Sequence, residues 1–223
     1  MTLNEIVEKL IKVDDISWGL YAFSRDILNN KVSYAEKKNL IKKAIKCGRM
    51  KAKEIYEQCG TNDIKSVAKY LGLKVEYLDE EIMNDRMLFA LFTPPKNISI
   101  MKEPIKKALS SKEVMDILTE TDIENLILAH EIFHFIEEDD NEIFTRKQKV
   151  ILWKIFNYKH TSTIRALSEI AAMSFAKEFN AITYSPFLLD VILYYGYNKK
   201  SSGKLYLEIV DIWQRENTNG EYK

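Results

Sequence analysis

The sequence predicts an α+β fold that is mostly helical, with a small antiparallel sheet of about three strands next to a long helix carrying a His-Glu-x-x-His pattern. Three observations lead there. Apolar residues recur at three- and four-residue steps along most of the chain, the mark of helices with one buried face. Alternation of apolar and polar residues, which marks half-buried strands, is confined to the stretch from Leu73 to Lys102. And His130-Glu131-Ile132-Phe133-His134 falls inside one of the helical stretches.

In chain order, Leu3 to Ile11 and Ile16 to Leu28 read as two short helices. A long helix covers Ser33 to Gln58, opened by a Ser33-x-x-Glu36 capping box and stopped at Gly60. Asp63 to Leu71 is a short helix closed by Gly72. Leu73 to Leu78, Met87 to Thr93 and Asn97 to Lys102 read as strands, the last two joined around Pro94-Pro95. Glu103 to Leu109 and Ser111 to Leu118 return to helical spacing. Thr121-x-x-Glu124 has the form of a capping box, so the next helix is expected from Asp122 to about Glu138. A helix around Glu142 to Phe156 follows, then one from Thr163 to about Ala181, then one or two C-terminal helices with a frayed tail from Glu216. Residues 1–60 are expected to form an N-terminal helical extension, covering the core or forming a subdomain or dimer surface. Residues 61–223 form the domain built around the His-Glu-x-x-His helix.

Residues four apart on a helix lie one above the other, so His130 and His134 can reach one metal ion. Glu131 between them can act on a water beside that ion, the arrangement of a zinc hydrolase. A lone histidine among Ile123, Leu126, Ile127 and Phe133 would read as a hydrogen-bonded core residue; a pair at this spacing, flanking a glutamate, reads as metal ligands. A catalytic zinc takes three protein ligands. Cys47 and Cys59 lie far upstream and are not paired as Cys-x-x-Cys, so a later carboxylate is expected. Glu169 and Glu178 are nine residues apart and, at about 100° per residue, face opposite ways. Glu169 shares its side with Ser162, Ala166, Ala172, Met173 and Ala176, small enough for close helix packing, so it is the expected third ligand. The competing role for Glu169 is an ion pair with Arg165.

Leu128-Ala129-His130-Glu131-Ile132-Phe133-His134-Phe135, followed by the run from Glu169 through Ala172, Phe175 and Glu178 to Phe179, resembles the ImmA/IrrE family of metallopeptidases. Val67 to Val75 also looks like that family's short helix leading into a strand. The similarity covers about residues 40 to 190. Phe133 stands where a glycine is common, Met173 where an asparagine is common, and Asn180-Ala181-Ile182 replaces a Leu-Met-Pro ending. The long gap from His134 to Glu169 implies an inserted helix. The resemblance implies a thermolysin-like order of elements. It also implies an endopeptidase holding one Zn2+ per chain, with a DNA-binding repressor as a plausible protein substrate.

Composition agrees with an enzyme of this kind. The 33 basic and 33 acidic residues cancel, so no direct nucleic-acid binding is expected. The start lacks a secretory apolar core, and the longest apolar stretch, Pro186 to Tyr197, contains Asp190 and is too short to span a bilayer. A cytoplasmic location with reduced cysteines and no membrane partner is therefore expected. No Gly-rich phosphate loop and no Ser-His-Asp set is visible. The acidic run Glu137 to Asp140 reads as a solvated helix end rather than part of the site. Tyr158, His160 and Tyr184 read as packing or surface residues, although any of them could stabilise an oxyanion. A substrate is expected to lie extended along the edge of the sheet, with Ser99 and Met101 tested as its backbone partners. The alternative function is a non-catalytic, metal-binding regulator that keeps the peptidase fold; retention of Glu131 favours the enzyme. A chance motif in an unrelated helical protein is a weaker third reading.

Overall fold

The computed structural model of the protein describes residues 1–80, 88–156 and 158–220. Met87, the predicted start of the second strand, and residues 221–223 of the predicted frayed tail lie outside them. The chain is mostly helical, with a three-stranded mixed sheet and a separate two-stranded one. Among the described residues no helix is long and apolar enough to cross a membrane.

The N-terminal region holds α1 (Leu3–Leu10), α2 (Asp15–Ser24) and the long α3 (Tyr34–Cys59). Ser33 caps α3 by accepting from the Glu36 N–H, and Gly60 ends it at φ 64°, a left-handed conformation that costs glycine little. Then come α4 (Ile64–Tyr70), β1 (Lys74–Leu78), β2 (Ala90–Thr93), β3 (Asn97–Met101), α5 (Lys102–Leu109) and α6 (Lys112–Met115). The sheet order is β1-β3-β2, with β1 parallel and β2 antiparallel to β3. The sheet is therefore mixed rather than all antiparallel. Its central strand is β3, whose Ile98, Ile100 and Met101 are buried. Ser99 and Met101 thus lie on an interior strand, and the sheet's outer strand on this side is β2.

Helix α7 (Glu120–Asp139) carries the His-Glu-x-x-His pattern. It begins two residues earlier than the sequence predicts. Its cap is Thr119, whose hydroxyl accepts from the Asp122 N–H at 3.1 Å, while Asp122 accepts from the Thr119 N–H at 3.0 Å. Aspartate in place of the usual Glu or Gln hid this capping box. Glu124, assigned to the cap from the sequence, pairs instead with Lys65 at 3.0 Å. At the other end, Arg146 donates to the carbonyls of Glu137 and Glu138, which carries the helix through the acidic run.

The helix predicted over 142–156 is not formed. Only α8 (Phe144–Lys147) is helical there, and a hairpin of β4 (Lys149–Ile155) and β5 (Tyr158–Thr163) follows. The insertion between the two halves of the motif is therefore mainly a β-hairpin. The run Val150-Ile151-Leu152-Trp153 suits a pleated strand better than a helix, because β-branched and aromatic side chains lose freedom against a helical turn. Helices α9 (Arg165–Phe179), α10 (Leu188–Tyr197) and α11 (Lys199–Gly220) complete the chain.

One buried cluster runs from Leu3 to Val210 and includes residues of α1, α2 and α3. Helices α3 and α9 approach each other closely. A Cβ on Gly48 would sit 2.1 Å from the carbonyl oxygen of Ala171 and 2.9 Å from the Phe175 nitrogen, both backbone atoms of α9. Only glycine permits that contact. Helix propensity alone favours alanine over glycine by about 1 kcal/mol. Gly48→Ala should nonetheless lower the unfolding free energy by about 1–3 kcal/mol through overpacking. Chemical denaturation checks this, and a variant as stable as the parent would show that the two helices do not meet at Gly48.

Candidate metal centre

Helix α7 presents His130 and His134 one turn apart, and α9 packs beside it with Glu169 facing them. The two Nε2 atoms are 2.9 Å apart. Glu169 places one carboxylate oxygen 3.4 Å from His130 Nε2 and the other 4.0 Å from His134 Nε2. One ligand atom from each residue lies within 4.8 Å of the others, so the group could hold a metal ion. Donors at about 2.0–2.1 Å around a tetrahedral ion stand roughly 3.3 Å from one another, close to the spacing found here. Imidazole nitrogens with one carboxylate are also a donor set that borderline metals accept.

The structure thus brings together the three residues expected as ligands. Glu178, the carboxylate rejected from the sequence, pairs with Lys53 of α3 at 3.5 Å and takes no part in this group. Helix α9 also meets α3 closely, with Ala171 and Phe175 opposite Gly48. Phe133, where the family resemblance leads one to expect glycine, is fully buried and meets Phe175 of α9 at 6.0 Å between ring centroids. It fills the space between the ligand helices.

Glu131 is 8% exposed, and its Oε2 accepts the backbone N–H of Phe92 at 2.7 Å. The Met101 N–H bonds the Phe89 carbonyl, so by two-residue alternation Ala90 and Phe92 turn their backbone groups away from β3. The outer edge of β2 therefore runs beside α7, and Glu131 sits between that edge and the ligand group. A cleft of about 500 Å³ opens there. Ala90, Leu126, Ile127, His130, Glu131 and Glu169 line it on the metal side. Tyr21 of α2 and Arg25 just after it, with Phe187 and Leu193 from the C-terminal region, also line it. These wall residues carry no sequence signal, because apolar positions on amphipathic helices look alike whether they face a core or a cleft. Tyr158, His160 and Tyr184 do not line it. Cys47 and Cys59 are free thiols and lie outside it.

Glu137 is the functional neighbour that sequence reasoning missed. Its side chain is 15% exposed rather than solvated. Its carboxylate lies 3.5 Å from His134 Nδ1, and it accepts a hydrogen bond from the Ser168 hydroxyl, which itself stands 3.3 Å from that nitrogen. The available signal was its place three residues after His134, on the same helix face. A carboxylate on the far nitrogen orients an imidazole and raises its basicity as a ligand. His130 lacks such support: its Nδ1 is buried and has no partner among the described residues.

The electrostatics of the group favour positive charge. Burial opposes protonation of His134, but the hydrogen bond to Glu137 and the charges of Glu169 and Glu131 outweigh it and hold the pKa up at about 9. Burial pushes the Glu169 carboxyl upward, yet the His130 hydrogen bond and the charges of His130, His134 and Arg165 bring it down to about 2. Arg165 acts on Glu169 through its charge, and no ion pair between them closes among the described residues. No protein-family model, curated protein or solved structure matches the chain.

Glu169→Ala should abolish tight metal binding, and Glu178→Ala should leave it unchanged, as read by elemental analysis after dialysis. Glu137→Ala should weaken the metal roughly 10- to 100-fold in a chelator competition, the usual effect of losing an orienting carboxylate. A Glu137 variant with parental affinity would leave that residue a packing role only.

Proposed function

We propose that the protein is a zinc-dependent endopeptidase in which His130, His134 and Glu169 hold the metal and Glu131 is the general base. The observation that supports this most directly is the placement of Glu131. It lines the same cleft as His130 and Glu169 and accepts from an amide of the outer strand, beside the space a substrate would enter. Zinc, when bound, supplies a Lewis acid that polarises a carbonyl and makes a water acidic. Glu131 takes the proton of the attacking water and later delivers it to the leaving amide nitrogen. Glu137 and Ser168 keep the His134 ring in place throughout. The outward backbone groups of Ala90 and the Phe92 carbonyl offer a substrate an edge on which to lie extended, whatever its side chains, while the Phe92 N–H stays with Glu131. This moves the expected contact from β3 to β2. The resemblance to ImmA/IrrE peptidases supports a cytoplasmic protein as substrate, a DNA-binding repressor among the candidates.

A second reading has one observation in its favour. The hydrogen bond from Phe92 to Glu131 gives that glutamate a structural purpose, ties α7 to β2, and would be kept in a non-catalytic metal-binding regulator.

Glu131→Gln separates the two. Glutamine can still accept from the Phe92 N–H but cannot take a proton. The variant should retain about one zinc per chain and cleave an unfolded protein such as casein roughly 10²- to 10⁴-fold more slowly. Equal cleavage by variant and parent would remove Glu131 as the base. Absence of cleavage in the zinc-loaded parent, across casein and a mixed peptide library, would support the regulator.

A further inference from the structure

The β4–β5 hairpin carries exposed aromatic surface that the metal centre does not use. Val150 and Leu152 near its base pack against the core, but beyond them the hairpin stands clear. Phe156 is 92% exposed, Tyr158 64% and Trp153 47%. Ile151, nearer the base, is also exposed. Water-facing rings gathered at one end of a projecting hairpin are unfavourable unless something covers them.

The charge around those rings is one-sided. Between Glu142 and Glu169 the sequence contains no Asp or Glu, although the chain as a whole is neutral. Lys149, Lys154 and Lys159 are exposed on the hairpin and form no ion pair among the described residues. Lys154 and Lys159 face each other directly across the two strands. Like charges in that position repel and destabilise a hairpin, and nothing within the described chain offsets the repulsion.

We propose that this hairpin docks on an anionic phospholipid surface, with Phe156, Tyr158 and Trp153 set among the headgroups and the three lysines against lipid phosphates. A projecting aromatic tip needs no complementary pocket in a bilayer interface, where Trp and Tyr are favoured because one end is apolar and the other polar. Lysine stems can lie along the apolar tip while their ammonium groups stay at phosphate level. The same features fit other anionic partners less well. Trp153 already stacks on His160 at 5.3 Å between centroids and 22° between planes, so that ring face is closed to a nucleic-acid base. The register shift between Ile151 and Trp153, with lysines along both strands, blunts the edges against an added protein strand. The helix that the sequence predicts over 142–156 would scatter Lys149, Trp153, Lys154 and Phe156 around its axis, whereas the hairpin gathers them. The proposal stands on the hairpin alone and does not require the metal centre to be catalytic.

The test is sedimentation of the full-length protein with vesicles of phosphatidylglycerol mixed with phosphatidylcholine, against phosphatidylcholine alone. Binding is expected to the anionic vesicles only and should fall steeply as salt is raised. Each lysine near such a surface contributes roughly fivefold, so a Lys149→Gln, Lys154→Gln, Lys159→Gln triple variant should lose on the order of a hundredfold in affinity. Phe156→Ser should lose roughly tenfold. Metal stoichiometry and thermal midpoint, which exposed hairpin substitutions should leave unchanged, serve as folding controls. If a variant fails them, the salt dependence of the unmodified protein still decides. The proposal is overturned if the parent protein does not sediment with anionic vesicles or binds them independently of salt. It is also overturned if folded variants bind as the parent does, or if the substitutions impair self-association or binding of single-stranded DNA or polyglutamate while vesicle binding is absent.

Discussion

Helix α9 is wedged between α3 and α7, and the position of Glu169 depends on both contacts. On one side the absence of a side chain at Gly48 lets the backbones of α3 and α9 touch. On the other, Phe133 and Phe175 fill the gap to α7. Interiors are close-packed, so an element held on two sides has little freedom to slide. That rigidity is what a metal site needs, since a ligand displaced by an ångström no longer reaches the ion. The N-terminal helices therefore have a part in the centre although none of their residues belongs to the ligand group: α3 forms one wall of the wedge, and α2 lines the far side of the cleft.

The charge arrangement follows the same logic. Glu131, Glu137 and Glu169 surround the two imidazoles, and of this group His130, Glu131 and Glu169 line the cleft. Buried carboxylates are costly unless opposite charge or hydrogen-bond donors meet them. Here the Phe92 amide meets Glu131, Ser168 and His134 meet Glu137, and the histidines meet Glu169. A divalent cation held by this group would satisfy the remaining negative potential. The two histidines are not equivalent, because only His134 has a carboxylate on its far nitrogen.

Much of this was legible in the sequence because it is local. The i, i+4 spacing of His130 and His134, the start of α3 at Ser33 and its stop at Gly60 depend on residues a turn or two apart. The errors arose where a local pattern has two solutions. Thr119 and Thr121 both precede an acidic residue by three, and only the first caps α7. The apolar run from Val150 to Trp153 can be read into a helical step, and its preference for a strand is decisive only once its partner, β5, is supplied. Glu137 looked like part of a solvated acidic tail because the residue that buries it, Ser168, lies thirty-one positions away.

By itself, then, the sequence determined a mostly helical α+β chain, a helix with two histidines on one face and a glutamate between them, and a small-residue helix carrying a single well-placed carboxylate. Each of these is a matter of backbone geometry over a few residues, where periodicity and capping act. Only the tertiary structure decided that β2 is the outer strand beside α7, that α2 and α10 close the cleft, that Glu137 supports His134, and that the insertion is a basic, aromatic-tipped hairpin. All four depend on which distant segments meet. Those meetings are set by side-chain volume and the lack of a Cβ at Gly48, quantities that a linear pattern of apolar and polar residues does not carry.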